Sequence, residues 1–291
     1  MCRVRIVLVL ACVLAISGIS KAQYKKHGTK IESGYVPLEG SDAAYKYFDV
    51  KTKLLNARLS DKSSFKVSTK FSGMDIEFEK DNEFTKDLEN FYGVGFDFDY
   101  VMVMNSKWSF LGRLTPKMSS NFTDGIKGDD IYINAFAIFN YSRTKNSKLS
   151  FGVMYSSTLG TPAPLPYISY YKRFSEKWSM NVGFPVTGLS YDINEKSKLT
   201  GFFEFRGFNA NISEKISDPT FIDNRLAEQV KYKDLFSGIE YVYNFNKISV
   251  KAKAGYTLSR EFELRDKDKD AAYEFDMGNS FFFGFGIGFT L

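Results

Sequence analysis

Three places in the chain set acids and bases where they could meet. Asp97 and Asp99 precede the short segment Asn105-Ser106-Lys107, and Arg113 and Thr115 follow it. A three-residue turn there sets Met104 against Trp108, which brings Asp99 opposite Arg113 and Asp97 opposite Thr115. A two-residue turn at Asn246-Lys247 sets Phe245 against Ile248, so that Glu240 faces Lys253, with Lys251 on the same face. Glu204 and Arg206 share one face of a third segment. Directly opposed residues on neighbouring strands have Cβ atoms about 4.5–5.5 Å apart, close enough for ion pairing. On a pore wall such pairs would form a selective constriction. In a narrow or plugged lumen they would be neutralised struts.

Other chemistry finds little to stand on. A nucleophile needs a base beside it, and His27, the single histidine, lies near the start of the mature chain. Asp266-Lys267-Asp268-Lys269-Asp270 imitates the start of a calcium loop, but Ala271 stands where the turn glycine belongs and Met277 where the bidentate glutamate belongs. No metal, cofactor or catalytic residue is expected, and an enzyme is the disfavoured reading. Asn121-Phe122-Thr123 and Asn211-Ile212-Ser213 match a glycosylation pattern, to which little weight is given.

The elements that must hold these residues are ribbons. In Ala271–Leu291 the odd positions Tyr273, Phe275, Met277, Phe281, Phe283, Phe285, Ile287, Phe289 and Leu291 are apolar, while the even ones are mostly Gly, Ser, Thr and acids. Side chains alternate across a strand, so this is a ribbon with one oily and one damp face. Its length exceeds the roughly 5–6 residues of an ordinary strand and suits a transmembrane strand between lipid and a polar lumen. Ile248–Arg260, Gln229–Phe245 and Leu88–Met104 read the same way. In Ala44–Leu59 the apolar parity shifts near Leu55, as at a bulge, and Ser64–Glu79 shifts around Gly73.

Further strands are read at Trp108–Met118, Ile131–Ser142, Leu149–Ser157, Tyr167–Phe174, Trp178–Val186, Leu189–Ile193 and Leu199–Ala210, with a weaker one at Lys30–Pro37. Short charged turns alternate with longer loops, the longest at Asn211–Glu228. The expected fold is all-β: a closed antiparallel transmembrane up-and-down barrel over 30–291, with fourteen strands favoured. Twelve is the alternative, if Trp178–Ile193 is one strand and Lys30–Pro37 is none. Trp108 and Trp178 each follow a short turn, at the height of an aromatic girdle.

Of the 291 residues 44% are hydrophobic and 17% aromatic. Residues 1–22 read as a cleaved signal peptide: Arg3 and Arg5, an apolar run from Ile6 to Ile19, then Ser20-Lys21-Ala22. Residues 23–29 form a mature tail. Cys2 and Cys12 both fall in the leader, so the mature chain would hold no disulfide or thiolate; acylation at Cys12 is disfavoured because the apolar run continues past it. Losing Arg3, Arg5 and Lys21 from 39 basic residues leaves 36 against 34 acidic ones, without a nucleic-acid footprint.

The leader ending Ala22-Gln23, the aromatic ribbons and the closing run Phe281 to Leu291 resemble outer-membrane β-barrel proteins of Bacteroidota-type Gram-negative bacteria. Within them the chain looks like an uncharacterised family defined by its barrel, with landmarks Trp108…Pro116…Ser119 and Gly183-Phe184-Pro185…Tyr191. The resemblance implies location in the cell outer membrane. It also implies insertion by the barrel-assembly machinery, which would read Phe285, Ile287, Phe289 and Leu291; the chain departs by ending in Leu291 rather than an aromatic. The expected partners are outer-membrane lipid, that machinery and an unidentified solute or surface partner. The function expected is a passive diffusion or uptake channel for a small solute or hydrophobic compound. The alternative is a structural or surface-interaction barrel without transport.

Overall fold

A computed structural model describes residues 28–80 and 82–290. The leader read at 1–22, most of the tail, and Leu291 lie outside the described residues. Fifteen strand segments run β1 Gly28–Val36, β2 Ala43–Arg58, β3 Ser63–Phe78, β4 Asn90–Val103, β5 Trp108–Ser120, β6 Ile131–Thr144, β7 Ser147–Ser156 and β8 Ala163–Arg173. They continue with β9 Trp178–Phe184, β10 Val186–Asp192, β11 Ser197–Ile216, β12 Ala227–Phe245, β13 Ile248–Arg265, β14 Ala271–Phe275 and β15 Phe281–Thr290.

Sequential antiparallel pairing carries the sheet from β1 round to β13, then to β15, and β15 closes the ring on β1 with Gly28 opposite Thr290. β14 continues the line of β15 above a break and pairs only with the upper end of β13. The result is a closed fourteen-strand antiparallel barrel, since β9 and β10 are separate strands around the turn at Pro185 and β1 is a full member of the wall. Glycines permit the tightest contacts: a Cβ at Gly152 would sit 2.0 Å from the Ala137 carbonyl oxygen. Below the mid-height, large apolar side chains face outward, among them Val153, Ile168, Ile239, Phe281, Phe283 and Phe285, each more than half exposed. Inward positions carry Ser, Thr, Gly and charged groups, with apolar side chains such as Phe136, Met154 and Phe282 among them. Among the described residues no helix is long and apolar enough to cross a membrane; here the strands are the candidates.

The upper half departs from the simple tube. A parallel bridge joins Ser120 of β5 to Asn211 of β11 across the mouth, reinforced by Ser119 Oγ donating to the Asn209 carbonyl at 2.9 Å. On one side of the bridge, apolar side chains from the tops of β1–β4 and β11–β14 fill the interior. Phe91, Leu88, Phe84, Ile212, Val230, Phe262 and Leu264 form one buried cluster there. On the other side, β9 and β10 stop early, leaving a notch in the wall between β8 and β11.

Several sequence expectations are corrected here. The last ribbon is not continuous: Asp276–Ser280 interrupts it, with Thr257 Oγ1 accepting from the Ser280 N–H at 2.7 Å. Above the break Phe275 packs into the interior cluster with Tyr273 and Met277 against it, whereas Phe281, Phe283 and Phe285 below it face out. The odd positions therefore serve two opposite environments. The loop expected at Asn211–Glu228 begins later, because β11 runs on to Ile216 to make the mouth bridge. β4 starts at Asn90 after a 3-10 turn over Glu83–Leu88 that buries Phe84 and Leu88. The parity shift in β2 is a bulge between Lys53 and Leu55. That in β3 involves no slip: Met74 and Ile76 turn inward because the interior they meet is apolar.

Candidate functional site

Three glycines of β15 lay down the floor of the charged lattice. Gly284, Gly286 and Gly288 point into the lumen between the lysines of β13 and the first strand, and a Cβ at Gly286 would lie 3.0 Å from Lys251 Cε and 3.3 Å from Glu32 Cγ. Absent side chains let long ones lie flat across the strand. Lys251 thus reaches Glu32 of β1 at 2.5 Å and Glu240 of β12 at 3.7 Å. Lys253 stands opposite Glu240, 3.5 Å away, and also donates to Glu204 Oε2 at 3.0 Å.

A second lattice occupies β2, β4 and β5. Asp99 is opposite Arg113 and accepts from its guanidinium, with Nη2 at 2.8 Å. Asp97 accepts from Thr115 Oγ1 at 2.8 Å, lies 3.6 Å from Arg113 Nη1, and is bonded by Lys51, which reaches over β3. These carboxylates are buried among donors, so their charge is offset locally.

Contacts also cross the lumen. Arg206 is 3.8 Å from Glu204 and lies over the rings of Tyr47 at 4.4 Å and Phe236 at 5.0 Å. Tyr45 of β2 donates to Asp234 of β12 at 2.6 Å, and Tyr232 donates to the same oxygen at 2.8 Å. Such contacts narrow the passage beneath the apolar cluster.

What remains open is a cavity of ≈ 700 Å³, in the size range of small-molecule sites. Its lining is two-sided. One side carries Lys51, Asp97, Arg113, Glu204 and Arg206; the other is the apolar inner face around Phe136 of β6 and Met154 of β7, which stand opposite each other. Hairpin counting reaches only adjacent strands, so it missed Lys51, Glu32, Tyr47 and Asp234. Their signal in the sequence is the alternation that puts them on the inner face.

The remaining sequence candidates lie away from the cavity. Trp108 and Trp178 stand at the end of the barrel with the short turns, their backbone N–H groups donating to Asn105 Oδ1 and Ser175 Oγ at 3.0 Å, and their rings against Tyr141 and Tyr191. Phe285, Ile287 and Phe289 line the outer face of β15, paired with Ser33, Ile31 and Thr29 of β1. The loop at Asp266 is an acidic turn in which Asp266 Oδ1 accepts from the N–H groups of Asp268 and Asp270 at 3.0 and 2.9 Å.

The profile of a family described as a domain of unknown function (DUF6268) matches residues 16–290. No curated protein matches the chain. Among solved structures it resembles a Pseudomonas aeruginosa FadL homologue, at 10% identity and TM-score 0.49, over 95% of this chain and 91% of that one. It also resembles an outer membrane channel from Pseudomonas putida F1, at 8% identity and TM-score 0.48, over 94% and 98%. The KdgM porin follows at 9% identity and TM-score 0.38, over 90% and 99%.

Proposed function

Since the chain belongs to the DUF6268 family, a domain of unknown function, we propose from the molecule itself that it is a passive diffusion or uptake barrel of the bacterial outer membrane, for a small solute or hydrophobic compound. The observation that carries this is a closed barrel with an oily exterior around a ≈ 700 Å³ cavity lined by charged groups. In lipid every backbone polar group must be satisfied internally, and a closed ring of strands does that. In the sequence, the leader read at 1–22 and the alternating apolar positions Phe285, Ile287, Phe289 and Leu291 support export and barrel assembly in a Gram-negative cell, of the Bacteroidota type. Asp97, Asp99, Arg113, Glu204, Arg206, Glu240, Lys251 and Lys253 serve as the charged constriction, Trp108 and Trp178 as the girdle, and none acts as a catalyst.

Single-channel recording of the purified protein in a planar bilayer tests the reading: stepwise ohmic currents are expected, and electrical silence overturns it. Silence would favour a structural or surface-interaction barrel, the reading supported by the apolar cluster that fills one side of the mouth.

A further inference from the structure

One row of the inner wall carries like charges side by side. Register sets Lys30 of β1 opposite Lys51 of β2, Lys51 opposite Lys70 of β3, Lys70 opposite Gly95 of β4, and Gly95 opposite Lys117 of β5. All five residues line the cavity. Directly opposed Cβ atoms are about 4.5–5.5 Å apart, and like charges placed so destabilise a sheet. The acids nearby do not cancel the row. Asp97 bonds Lys51 but also lies 3.6 Å from Arg113, and Asp49 lies 3.0 Å from Lys70. Lys30 is exposed, and the acid next to it on the same face of β1, Glu32, is held by Lys251. Lys117 donates to a neutral acceptor, Asn209 Oδ1, at 3.3 Å. Elsewhere in the lumen bases again crowd single acids: Asp192 is 3.0 Å from Arg173 and 3.4 Å from Lys198. Lys66 stands opposite Asp99, which Arg113 already holds.

A wall of one prevailing sign around a narrow wet path concentrates ions of the other sign, and pores lined by Lys and Arg select anions. We propose that the barrel is an anion-selective passage: the row of Lys30, Lys51, Lys70 and Lys117 sets the selectivity, and the solute it favours is a small hydrophilic anion. The row draws the anion in by its field, and no single lysine has to bind it. This rests on the reading of the barrel as a passage and names the class of solute that the passage prefers.

The test is the zero-current potential of the full mature chain in a planar bilayer under a KCl gradient, potassium and chloride having nearly equal mobility in water. A lumen potential of about one kT per unit charge, modest beside the several kT of charged clefts, favours chloride over potassium roughly sevenfold. That ratio is expected with the salt near about 0.1 M and should fall towards unity near about 1 M, where the screening length shrinks from about 10 to about 3 Å. Lys30→Gln should lower the ratio and Lys30→Glu lower it further, with heat-modified gel mobility unchanged. Lys267→Glu, the same charge reversal on the exposed loop between β13 and β14, should leave the ratio at the parent value. Equal permeability or a preference for potassium in the parent overturns the proposal. So does a ratio that Lys30→Glu leaves unchanged, or that Lys267→Glu lowers as much. Ohmic currents with any of these results sink the selectivity and leave the passage standing; electrical silence sinks the passage and the selectivity with it.

Discussion

At the scale of single residues, the lumen is a lattice in which each charge has more than one partner. Lys253 touches Glu204 and Glu240, and Lys251 touches Glu32 and Glu240. Glu240→Lys would therefore put a third cation beside two others, and we expect a loss of about 1–2 kcal/mol, a partly buried pair being worth more than an exposed one. Lys253→Glu added to it should recover part of that loss, because Glu204 then loses its cation and keeps only Arg206. The midpoint of heat-modified gel mobility reads both; no recovery in the double variant would exclude the pairing. Gly286→Val should detach Lys251 from Glu32 by filling the space its stem crosses, lowering the same midpoint. Turn length alone leads to Asp99 opposite Arg113 and Glu240 opposite Lys253, and the ladders have that register. Lys51 with Asp97, Lys251 with Glu32 and Lys253 with Glu204 each skip a strand. Reach of that kind depends on barrel curvature and on glycines beneath the side chains, which strand-by-strand counting does not contain.

At the scale of elements, the hairpin of β9 and β10 is the unusual one. Seven residues of tilted strand rise about 17 Å, short of the roughly 25 Å apolar band of a membrane barrel. In the proposed membrane barrel its turn would lie at a depth where backbone polar groups need internal partners. Thr187 Oγ1 donates to the Gly183 carbonyl at 2.9 Å and accepts from the Gly183 N–H at 3.0 Å. Asn181 donates to the Val186 carbonyl at 2.8 Å, and the Phe205 N–H donates to the Pro185 carbonyl at 3.0 Å. Thr187→Val keeps the shape and removes both bonds; we expect about 1–3 kcal/mol of destabilisation, read as an earlier heat-modified transition. A Thr187→Val barrel as stable as the parent would place that turn in water. A turn near Pro185 is legible from the proline and the neighbouring glycines, so the hairpin could be found, although β10 begins at Val186 rather than at the expected Leu189. The tops of β11 and β13 could not, since their inward apolar residues face an interior that exists only once β5 and β11 meet.

At the scale of the whole molecule, the mouth is divided. Alternation and the order of short and long connections lead to a closed barrel and favour fourteen strands over twelve, because each ribbon keeps one apolar face outward. They are silent on the bridge, which rests on Asn and Ser side chains: Asn211 Nδ2 donates to Asp130 at 2.8 Å, and Ser120 Oγ to the Asn211 carbonyl at 3.1 Å. If passage runs through the half bounded by β5–β10, then Asn211→Ala, by loosening the partition, should raise single-channel conductance. Unchanged conductance in a folded Asn211→Ala barrel would mean that the partition does not limit flow.

The notch beside that partition has an edge of its own. On β8 the Arg173 N–H bonds toward β7 and the Phe174 N–H toward β9, so even-numbered positions aim their donors at the β9 side. Above Ile168, where β9 has ended, the even positions are Pro166 and Pro164. Proline has no N–H to aim. A foreign strand arriving there, whether a peptide or a second barrel, meets carbonyls without the alternating donors it needs for a ladder, and the border stays unzipped.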